Sequence, residues 1–170
     1  MNIVLTGFMG TGKSVVGRHL AAELHVDFVD VDNAITKKAG KPIRDIFATE
    51  GEGAFRQFEN EVIAELSKQD KTVIATGGGA LLDEKNRVAL EKNGILVCLT
   101  ARMGTLLERL KDDLTRPLLS GENLEQKVER LMTERQAIYN VCPVQIDTEN
   151  KTIAQVAKEI IQKVQPQWQS

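Results

Sequence analysis

Residues 7–14 carry the clearest chemistry in this chain. They read Gly-Phe-Met-Gly-Thr-Gly-Lys-Ser, which fits G-x-x-x-x-G-K-[ST], the phosphate-binding loop of enzymes that use nucleoside triphosphates. The glycines let backbone N–H groups close around phosphate oxygens. Lys13 places a positive charge toward the β- and γ-phosphates, and the Ser14 hydroxyl can ligate Mg²⁺. The alternative is a glycine-rich turn without a ligand, but the apolar strand before the loop and the helical spacing after it are the context that the motif requires.

An acidic pair and a run of glycines follow two later strand-like segments. Asp30 and Asp32 leave the end of the second one on the same side, by period-two alternation. Such a pair can hold a metal ion or an alcohol substrate for phosphoryl transfer, or one member can cap the helix that starts near Asn33. The third segment runs into residues 77–79, three glycines that suit the close approach of a ligand to the main chain, unless they form a plain flexible turn.

Two arginines lie on or beside apolar stripes of predicted helices. Arg135 falls on such a stripe and would face inward, where a guanidinium needs an anion such as a carboxylate or phosphate ligand. It could instead snorkel along the edge of the core or pair with an acid of the protein. Arg56 lies beside a second stripe and could pair with Glu52 or Glu59. The stripes consist of Leu124, Val128, Leu131 and Ile138 in the first helix and of Phe55, Phe58 and Val62 in the second.

Residues 112–120 have the composition of a closing lid. The segment is polar, is interrupted by Pro117, and has helical patterns on both sides. Closure would carry Arg116 onto the phosphates and exclude water from the reaction. The alternative is an ordinary surface loop in which Thr115 or Ser120 caps a helix.

Alternating strands and helices must position these residues. The alternation predicts an α/β protein with three α/β/α layers, in which a parallel sheet is covered on both faces. Right-handed crossovers put the carboxyl ends of the strands along one edge beside the phosphate loop, where ligands should bind. Strands are predicted at Ile3–Leu5, Phe28–Val31, Thr72–Thr76, Ile95–Leu99 and Val144–Ile146, and helices near 14–24, 32–39, 54–68, 84–93, 102–111, 123–139 and 152–164.

Composition argues against several kinds of partner. The chain has 170 residues, a net charge of −2 and no basic block, so we expect one globular domain with no nucleic-acid or membrane partner. The first residues go straight into a strand, so we expect no signal peptide. Cys98 and Cys142 lack metal-ligand spacing, and Cys98 lies in an apolar run that favours a buried free thiol. These features predict a cytoplasmic protein.

These segments together resemble the shikimate kinase family over nearly the whole chain. The resemblance implies a P-loop kinase fold with a mobile lid and a five-stranded parallel sheet in the order 2-3-1-4-5. It also implies a monomer that transfers the γ-phosphoryl group of ATP to the 3-hydroxyl of shikimate, with Mg²⁺, in the route to chorismate and the aromatic amino acids. The resembling segments are residues 7–14, Phe-Val-Asp-Val-Asp at 28–32, Ile-Arg-Asp-Ile-Phe-Ala-Thr-Glu-Gly-Glu at 43–52, Phe-Arg at 55–56, Gly-Gly-Gly-Ala at 77–80, Arg-Pro-Leu-Leu at 116–119 and Glu-Arg-Gln-Ala-Ile-Tyr at 134–139.

The resemblance further implies a role for each site residue. Asp32 would hold the substrate hydroxyls and assist the attacking one, and Asp30 would be the outer partner of Mg²⁺ beside Ser14. Lys13 and Arg116 would stabilise charge on the transferring phosphoryl group. The residues implied for shikimate are Asp32, Arg56, Gly77, Gly78, Gly79 and Arg135, with the two arginines clamping its carboxylate. Those implied for ATP are Gly10, Thr11, Gly12, Lys13, Ser14, Val15, Arg109, Arg116 and Asn150, with Arg109 lying on adenine.

The expected organisation is a single kinase domain over residues 1–164. It includes a substrate-binding region at about 32–61 and the lid at about 112–120. Residues 165–170 are expected to form a disordered tail, although Trp168 could dock on the surface. Two rival functions remain: a kinase of the same architecture that acts on gluconate or a nucleoside monophosphate, and a nucleotide-dependent switch. The switch is disfavoured because the chain lacks the Asn-Lys-x-Asp segment of guanine specificity.

Overall fold

A computed structural model of the chain describes residues 1–111 and 123–168. Five parallel strands form one sheet in the order β2-β3-β1-β4-β5, which confirms the predicted order and the predicted α/β architecture. The predicted lid at 112–120, with Arg116, lies outside the described residues. The strands are β1 (Asn2–Gly7), β2 (Asp27–Asp30), β3 (Thr72–Ala75), β4 (Gly94–Thr100) and β5 (Val144–Asp147).

The central strand β1 is buried along its whole length, because it pairs with β3 on one side and β4 on the other. Its residues Ile3, Val4 and Leu5 are fully buried. A strand covered on both faces reads as a continuous apolar run rather than as an alternating one. The register brings the carboxyl ends of β1 and β3 to the same edge of the sheet, with Leu5 opposite Ala75.

In residues 1–111 and 123–168, five of the seven helices cover the two faces of the sheet. One face packs against α1 and α7, and the other packs against α2, α3 and α4. A third apolar cluster joins the phosphate loop, through Phe8 and Met9, to α5 and α6. The helices are α1 (Lys13–Leu24), α2 (Val31–Ala39), α3 (Ile43–Leu66), α4 (Glu84–Lys92), α5 (Met103–Leu110), α6 (Leu124–Asn140) and α7 (Ile153–Trp168), and a short 3₁₀ turn spans Ala80–Leu82.

Helix α3 begins at Ile43, well before the predicted start at residue 54. It is interrupted at Gly51, where φ is 84° and ψ is 176°, a conformation that only glycine adopts without strain. The first segment carries Ile43 and Phe47 against α2 and the acceptor side of the site, and the second carries Phe55 and Glu59. The break hides the first segment from a search for one continuous helical stripe.

The prediction of a disordered tail from residue 165 is wrong for the residues that the structure describes. Helix α7 continues to Trp168, although Pro166 lies in its last turn. The Trp168 ring packs on the cluster that includes Ile160 and Val164, and its Nε1–H donates to the carbonyl oxygen of Met1 at 2.9 Å. The docked ring supplies tertiary contacts that hold the last turn in place, as the alternative reading of Trp168 allowed.

The two cysteines and the helix lengths bear on two further predictions. Cys98 and Cys142 are both free and buried, which confirms the interpretation of Cys98. Within residues 1–111 and 123–168, no helix has the length and apolar character needed to cross a bilayer.

Candidate active site

The phosphate loop connects the end of β1 to the start of α1. Gly12 precedes the helix with φ 92°, and the first N–H groups of α1 have no partner within the helix, which makes this helix end an anion site. Lys13 is only 9% exposed, and its Nζ donates to the carbonyl oxygens of Gly7 and Phe8, each at 2.9 Å. The ammonium group is therefore held over the loop before any ligand binds.

A cavity opens on this loop, and we call it the phosphate cavity. Asp30 and Asp32 both reach it, as the same-side prediction requires, even though Val31 between them already begins α2. Thr11 faces elsewhere: its side chain donates to the Phe8 carbonyl oxygen at 2.7 Å, so only its main chain is available to a phosphate. The phosphate cavity is lined by Gly10, Gly12, Lys13, Ser14, Val15, Asp30, Asp32, Thr76, Gly77 and Gly78.

Ser14 and Asp30 form the polar pair predicted for the metal. The Ser14 hydroxyl donates to Asp30 Oδ2 at 2.5 Å, while Asp30 Oδ1 caps α2 by accepting from the Asn33 N–H at 3.3 Å. Both the capping and the metal-side interpretations of Asp30 are thus compatible with its position. The described residues contain no group of three or more acidic, histidine or cysteine side chains placed to enclose a metal. One hydroxyl and one carboxylate fit Mg²⁺, which keeps water and phosphate oxygens as its other ligands.

A second cavity, the acceptor cavity, adjoins the phosphate cavity and shares Asp32, Gly77 and Gly78 with it. Its walls combine an apolar surface from both segments of α3 with charged groups from α2, α3 and α6. Apolar walls with a few convergent charged groups are typical of a site for a small molecule. The acceptor cavity is lined by Met9, Asp32, Ile43, Phe47, Phe55, Arg56, Glu59, Gly77, Gly78, Gly79 and Arg135.

The two predicted arginines converge on Gly79. A Cβ built on this glycine would lie 3.0 Å from Arg56 Nη2 and 3.4 Å from Arg135 Nη2. Arg135 is 3% exposed, so the structure places it inward, and its guanidinium lies 5.8 Å from the centre of the Phe8 ring. Two guanidinium groups around one glycine leave space for a small anion between them and the main chain.

The other end of the glycine run is acidic. A Cβ on Gly77 would lie 3.0 Å from Glu59 Oε1 and 3.3 Å from Asp32 Oδ1. Glu59 is 1% exposed, and its Oε1 has no hydrogen-bond partner within the described part of the chain. Burial raises the pKa of Glu59 above its usual range, against the opposing effect of Arg56. The acceptor cavity is thus basic at Gly79 and acidic at Gly77.

Arg56 and Arg135 differ in their partners. Arg56 forms ion pairs with Glu59, 2.6 Å from Nη1, and with Glu52, 3.0 Å from Nη2, the two acids that the sequence suggested. Arg135 has no ion pair with any acid in residues 1–111 and 123–168, and its Nε makes no hydrogen bond there. Arg135 therefore forms no salt bridge with an acid in the described part of the chain, although its charge acts on the nearby Glu59.

The predicted nucleotide contacts outside the loop lie on the same sheet edge. Arg109, at the end of α5, donates from Nη1 to the Gly10 carbonyl oxygen at 2.9 Å. Asn150 has a positive φ of 53° in the turn after β5, and the neighbouring Glu149 caps α5 through the Arg102 N–H. Arg109 thus lies against the phosphate loop, whereas Asn150 is an exposed residue of the adjoining turn.

Sequence reasoning missed two residues of the site. Glu59 appeared only as a possible partner of Arg56, although an acid in the apolar register of Phe55 and Val62 signals a buried carboxylate. Tyr139 donates its hydroxyl hydrogen to the Gly78 carbonyl oxygen at 2.6 Å. It lies one helical turn after Arg135, and this spacing was the available signal.

Comparison with known proteins agrees with this geometry. A family model described as shikimate kinase matches residues 9–165. A shikimate kinase of Thermodesulfovibrio yellowstonii is 44% identical over 162 residues, which span 95% of this chain and 94% of the relative. The chain belongs to the shikimate kinase family. A Geobacter sulfurreducens shikimate kinase is 45% identical over 159 residues, with 94% of this chain and 88% of the relative covered.

A solved shikimate kinase has the same fold. The structure of the Acinetobacter baumannii shikimate kinase in complex with shikimate superposes with a TM-score of 0.93 at 41% identity, covering 97% of this chain and 93% of that one. The family match spans both cavities, because it runs from Met9 in the phosphate loop past Arg135 in α6. Kinase chemistry and the shikimate pathway therefore apply to this member of the shikimate kinase family.

Proposed function

We propose that the phosphate cavity binds the phosphates of ATP, that the acceptor cavity binds shikimate, and that the γ-phosphoryl group passes between them to the 3-hydroxyl. As a member of the shikimate kinase family, the chain is an ATP-dependent phosphotransferase of the shikimate pathway. The observation that carries the residue assignment is the charge separation along residues 77–79: two acids meet at Gly77 and two arginines meet at Gly79.

Shikimate carries a carboxylate on one side of its ring and hydroxyl groups on the other. The arginine end of the acceptor cavity would take the carboxylate, since paired guanidinium groups favour carboxylates and select against sugars that lack one. The ring would then lie on Phe47 and Phe55, with its hydroxyl groups toward Asp32. This orientation points the acceptor hydroxyl at the phosphate cavity, because Asp32 lines both cavities.

Asp32 orients the acceptor hydroxyl and accepts its proton as the bond to phosphorus forms. The transition state of phosphoryl transfer is loose, so positioning and charge stabilisation contribute most of the catalysis. Lys13, buried on the phosphate loop, supplies positive charge to the β- and γ-phosphates. Arg116, from outside the described residues, would add a second positive charge on closure of residues 112–120.

Ser14 and Asp30 would hold Mg²⁺, Ser14 directly and Asp30 through water. The ion neutralises charge on the phosphates when it is bound. Arg109 would contact the adenine, and Asn150 would lie at the edge of the same nucleotide site. We further propose a cytoplasmic monomer without nucleic-acid or membrane partners. The net charge of −2 and the absence of any basic block in the sequence support the absence of those two kinds of partner.

The direct test is ADP release in a coupled assay with Mg-ATP and a choice of acceptors. Shikimate alone should stimulate release strongly, and gluconate or AMP should leave it at the background of ATP hydrolysis. Turnover on gluconate or AMP without turnover on shikimate would retain the phosphate loop chemistry and reject every assignment in the acceptor cavity. Product analysis by ³¹P NMR should place the new phosphate ester on the 3-hydroxyl.

A further inference from the structure

Tyr139 joins the two parts of the predicted carboxylate clamp. Its hydroxyl donates to the Gly78 carbonyl oxygen at 2.6 Å across 61 residues of sequence, and it lies one turn after Arg135 on α6. The Arg135 charge is also close enough to this hydroxyl to act on its pKa. A single phenol therefore lies beside the arginine of the same helix and donates to the glycine run. We propose that Tyr139 is a positioning residue that sets the geometry of the shikimate carboxylate clamp.

The Tyr139 hydrogen bond orients the peptide between Gly78 and Gly79. In a planar trans peptide, the carbonyl of one residue and the N–H of the next point in opposite directions. The hydrogen bond to the Gly78 carbonyl therefore also fixes the direction of the Gly79 N–H. Both arginines lie around Gly79, where a Cβ would be 3.0 Å from Arg56 and 3.4 Å from Arg135. Tyr139 thus orients the main chain on which the two guanidinium groups converge.

The Arg135 guanidinium lies beside the same glycine run. Its Nη1 would lie 3.1 Å from a Cβ on Gly78, and its Nε has no hydrogen-bond partner in the described part of the chain. Because the side chain is 3% exposed, the groups packed around it determine where the guanidinium lies. The Tyr139 hydroxyl, held on the Gly78 carbonyl one turn after Arg135, is one of these groups. The proposal rests on the proposed carboxylate clamp but adds a residue that does not itself touch the substrate.

The phenol stays in its donor form under all physiological conditions. Burial raises the pKa of Tyr139 to about 12, although the nearby Arg135 opposes this shift. The hydroxyl hydrogen is therefore present at neutral pH and remains available to the Gly78 carbonyl. The positioning contact should not titrate between about pH 6 and pH 9, three or more units below this value.

Tyr139→Phe removes the hydroxyl and keeps the ring in the apolar cluster. The KM for shikimate should rise about 5- to 15-fold, the effect of one lost hydrogen bond, while the KM for ATP should stay within about two-fold. Gln136→Ala, an exposed position on the same helix, should change neither value. Discrimination between shikimate and its methyl ester, which lacks the charge, should fall in Tyr139→Phe because the clamp is loosened.

A double-mutant cycle separates positioning from general support of the fold. If Tyr139 acts through the clamp, Tyr139→Phe should have little further effect in an Arg135→Ala background. An undiminished effect in that background would overturn the proposal. So would a parallel rise in the KM for shikimate and the KM for ATP, or a shikimate KM within two-fold of the unmodified enzyme.

The chain contains a single tyrosine, which allows a direct spectroscopic readout. Uniform incorporation of 3-fluorotyrosine labels only residue 139 and yields one ¹⁹F resonance. Shikimate should shift this resonance strongly, because its carboxylate would bind the Arg135 guanidinium beside the phenol. AMP-PNP alone should shift it little. No response to saturating shikimate would contradict the link between the phenol and the clamp, independently of any kinetic result.

Discussion

Replacement of Gly79 by alanine should separate substrate binding from nucleotide binding. The residue has φ −107° and ψ 1°, which alanine can adopt, so the main chain itself is not strained. The added Cβ would lie 3.0 and 3.2 Å from the terminal nitrogens of Arg56 and 3.4 Å from Arg135 Nη2. Since these atoms are the ends of flexible side chains, the guanidinium groups would move and the backbone would stay.

The size of the effect follows from these distances. Restoring an ordinary contact requires Arg56 to retreat by a few tenths of an ångström and brings the new methyl group into the space of the substrate carboxylate. A hydrogen bond to a charged group contributes about 1.5–3 kcal/mol, and the loss of one such bond corresponds to a rise of about 10- to 100-fold in the KM for shikimate. The phosphate loop is untouched, so the KM for ATP should stay within about two-fold.

Steady-state kinetics with each substrate varied in turn would measure both constants, and calorimetry would give the shikimate Kd directly. Gly53→Ala is the matched control, because no atom lies within 4 Å of a Cβ built at that exposed position of α3. A shikimate KM in Gly79→Ala close to that of the unmodified enzyme, or equal losses for shikimate and ATP, would contradict a carboxylate site at Gly79.

Four further outcomes are expected. Asp32→Asn should lower kcat by at least about 10²-fold in the coupled assay, and near-normal turnover would reduce Asp32 to a structural role. Because its pKa is raised, Glu59 takes up a proton at a higher pH than an ordinary carboxyl group, and the ion pair that positions Arg56 in the clamp is then lost. The KM for shikimate should therefore rise as pH falls, beginning above the usual range of carboxyl titration, and this rise should be absent in Glu59→Gln. Trp168→Ala should destabilise the fold by about 1–3 kcal/mol in urea unfolding, since it removes both a packed ring and its hydrogen bond; an unchanged midpoint would mean that the last turn of α7 adds nothing. Arg135→Ala should weaken shikimate binding without lowering the melting temperature. Arg56→Ala should weaken shikimate binding and also lower the melting temperature, with a loss of about 3 kcal/mol of folding free energy. Equal melting temperatures for the two variants would contradict the difference in their partners.

Local patterns account for the parts of the fold and site that the sequence predicted. The phosphate loop, its strand and its helix are contiguous, so one motif determines all three. The order of the sheet rested on the resemblance of several segments in the right succession, and the observed order confirms it. The inward orientation of Arg135 followed from helical periodicity alone. Residue 135 lies on the same helical face as the apolar residues Val128, Leu131 and Ile138, which are buried or packed against the core.

Contacts distant in sequence account for what was missed. The hydroxyl of Tyr139 and the carbonyl of Gly78 meet only after α6 packs against the 3₁₀ turn that follows the glycine run, and no local rule gives that approach. The break at Gly51 hid the first segment of α3, since a change of direction ends one stripe and begins another. The last turn of α7 depends on Trp168 and Met1, which lie 167 residues apart.

The two arginines of the clamp differ in their effect on the stability of the enzyme without substrate. Arg56 already forms an ion pair with Glu59, so its removal would leave a buried carboxylate without a salt-bridge partner. Arg135 is 3% exposed and has no ion pair with any acid in residues 1–111 and 123–168, so the free protein retains the unfavourable desolvation of its charge. A substrate carboxylate would supply the missing negative charge. Part of its binding free energy would come from offsetting the desolvation cost of the buried Arg135 guanidinium. Arg135 therefore destabilises the empty fold and stabilises the complex, whereas Arg56 stabilises both, and a thermal melt with and without shikimate should distinguish the two.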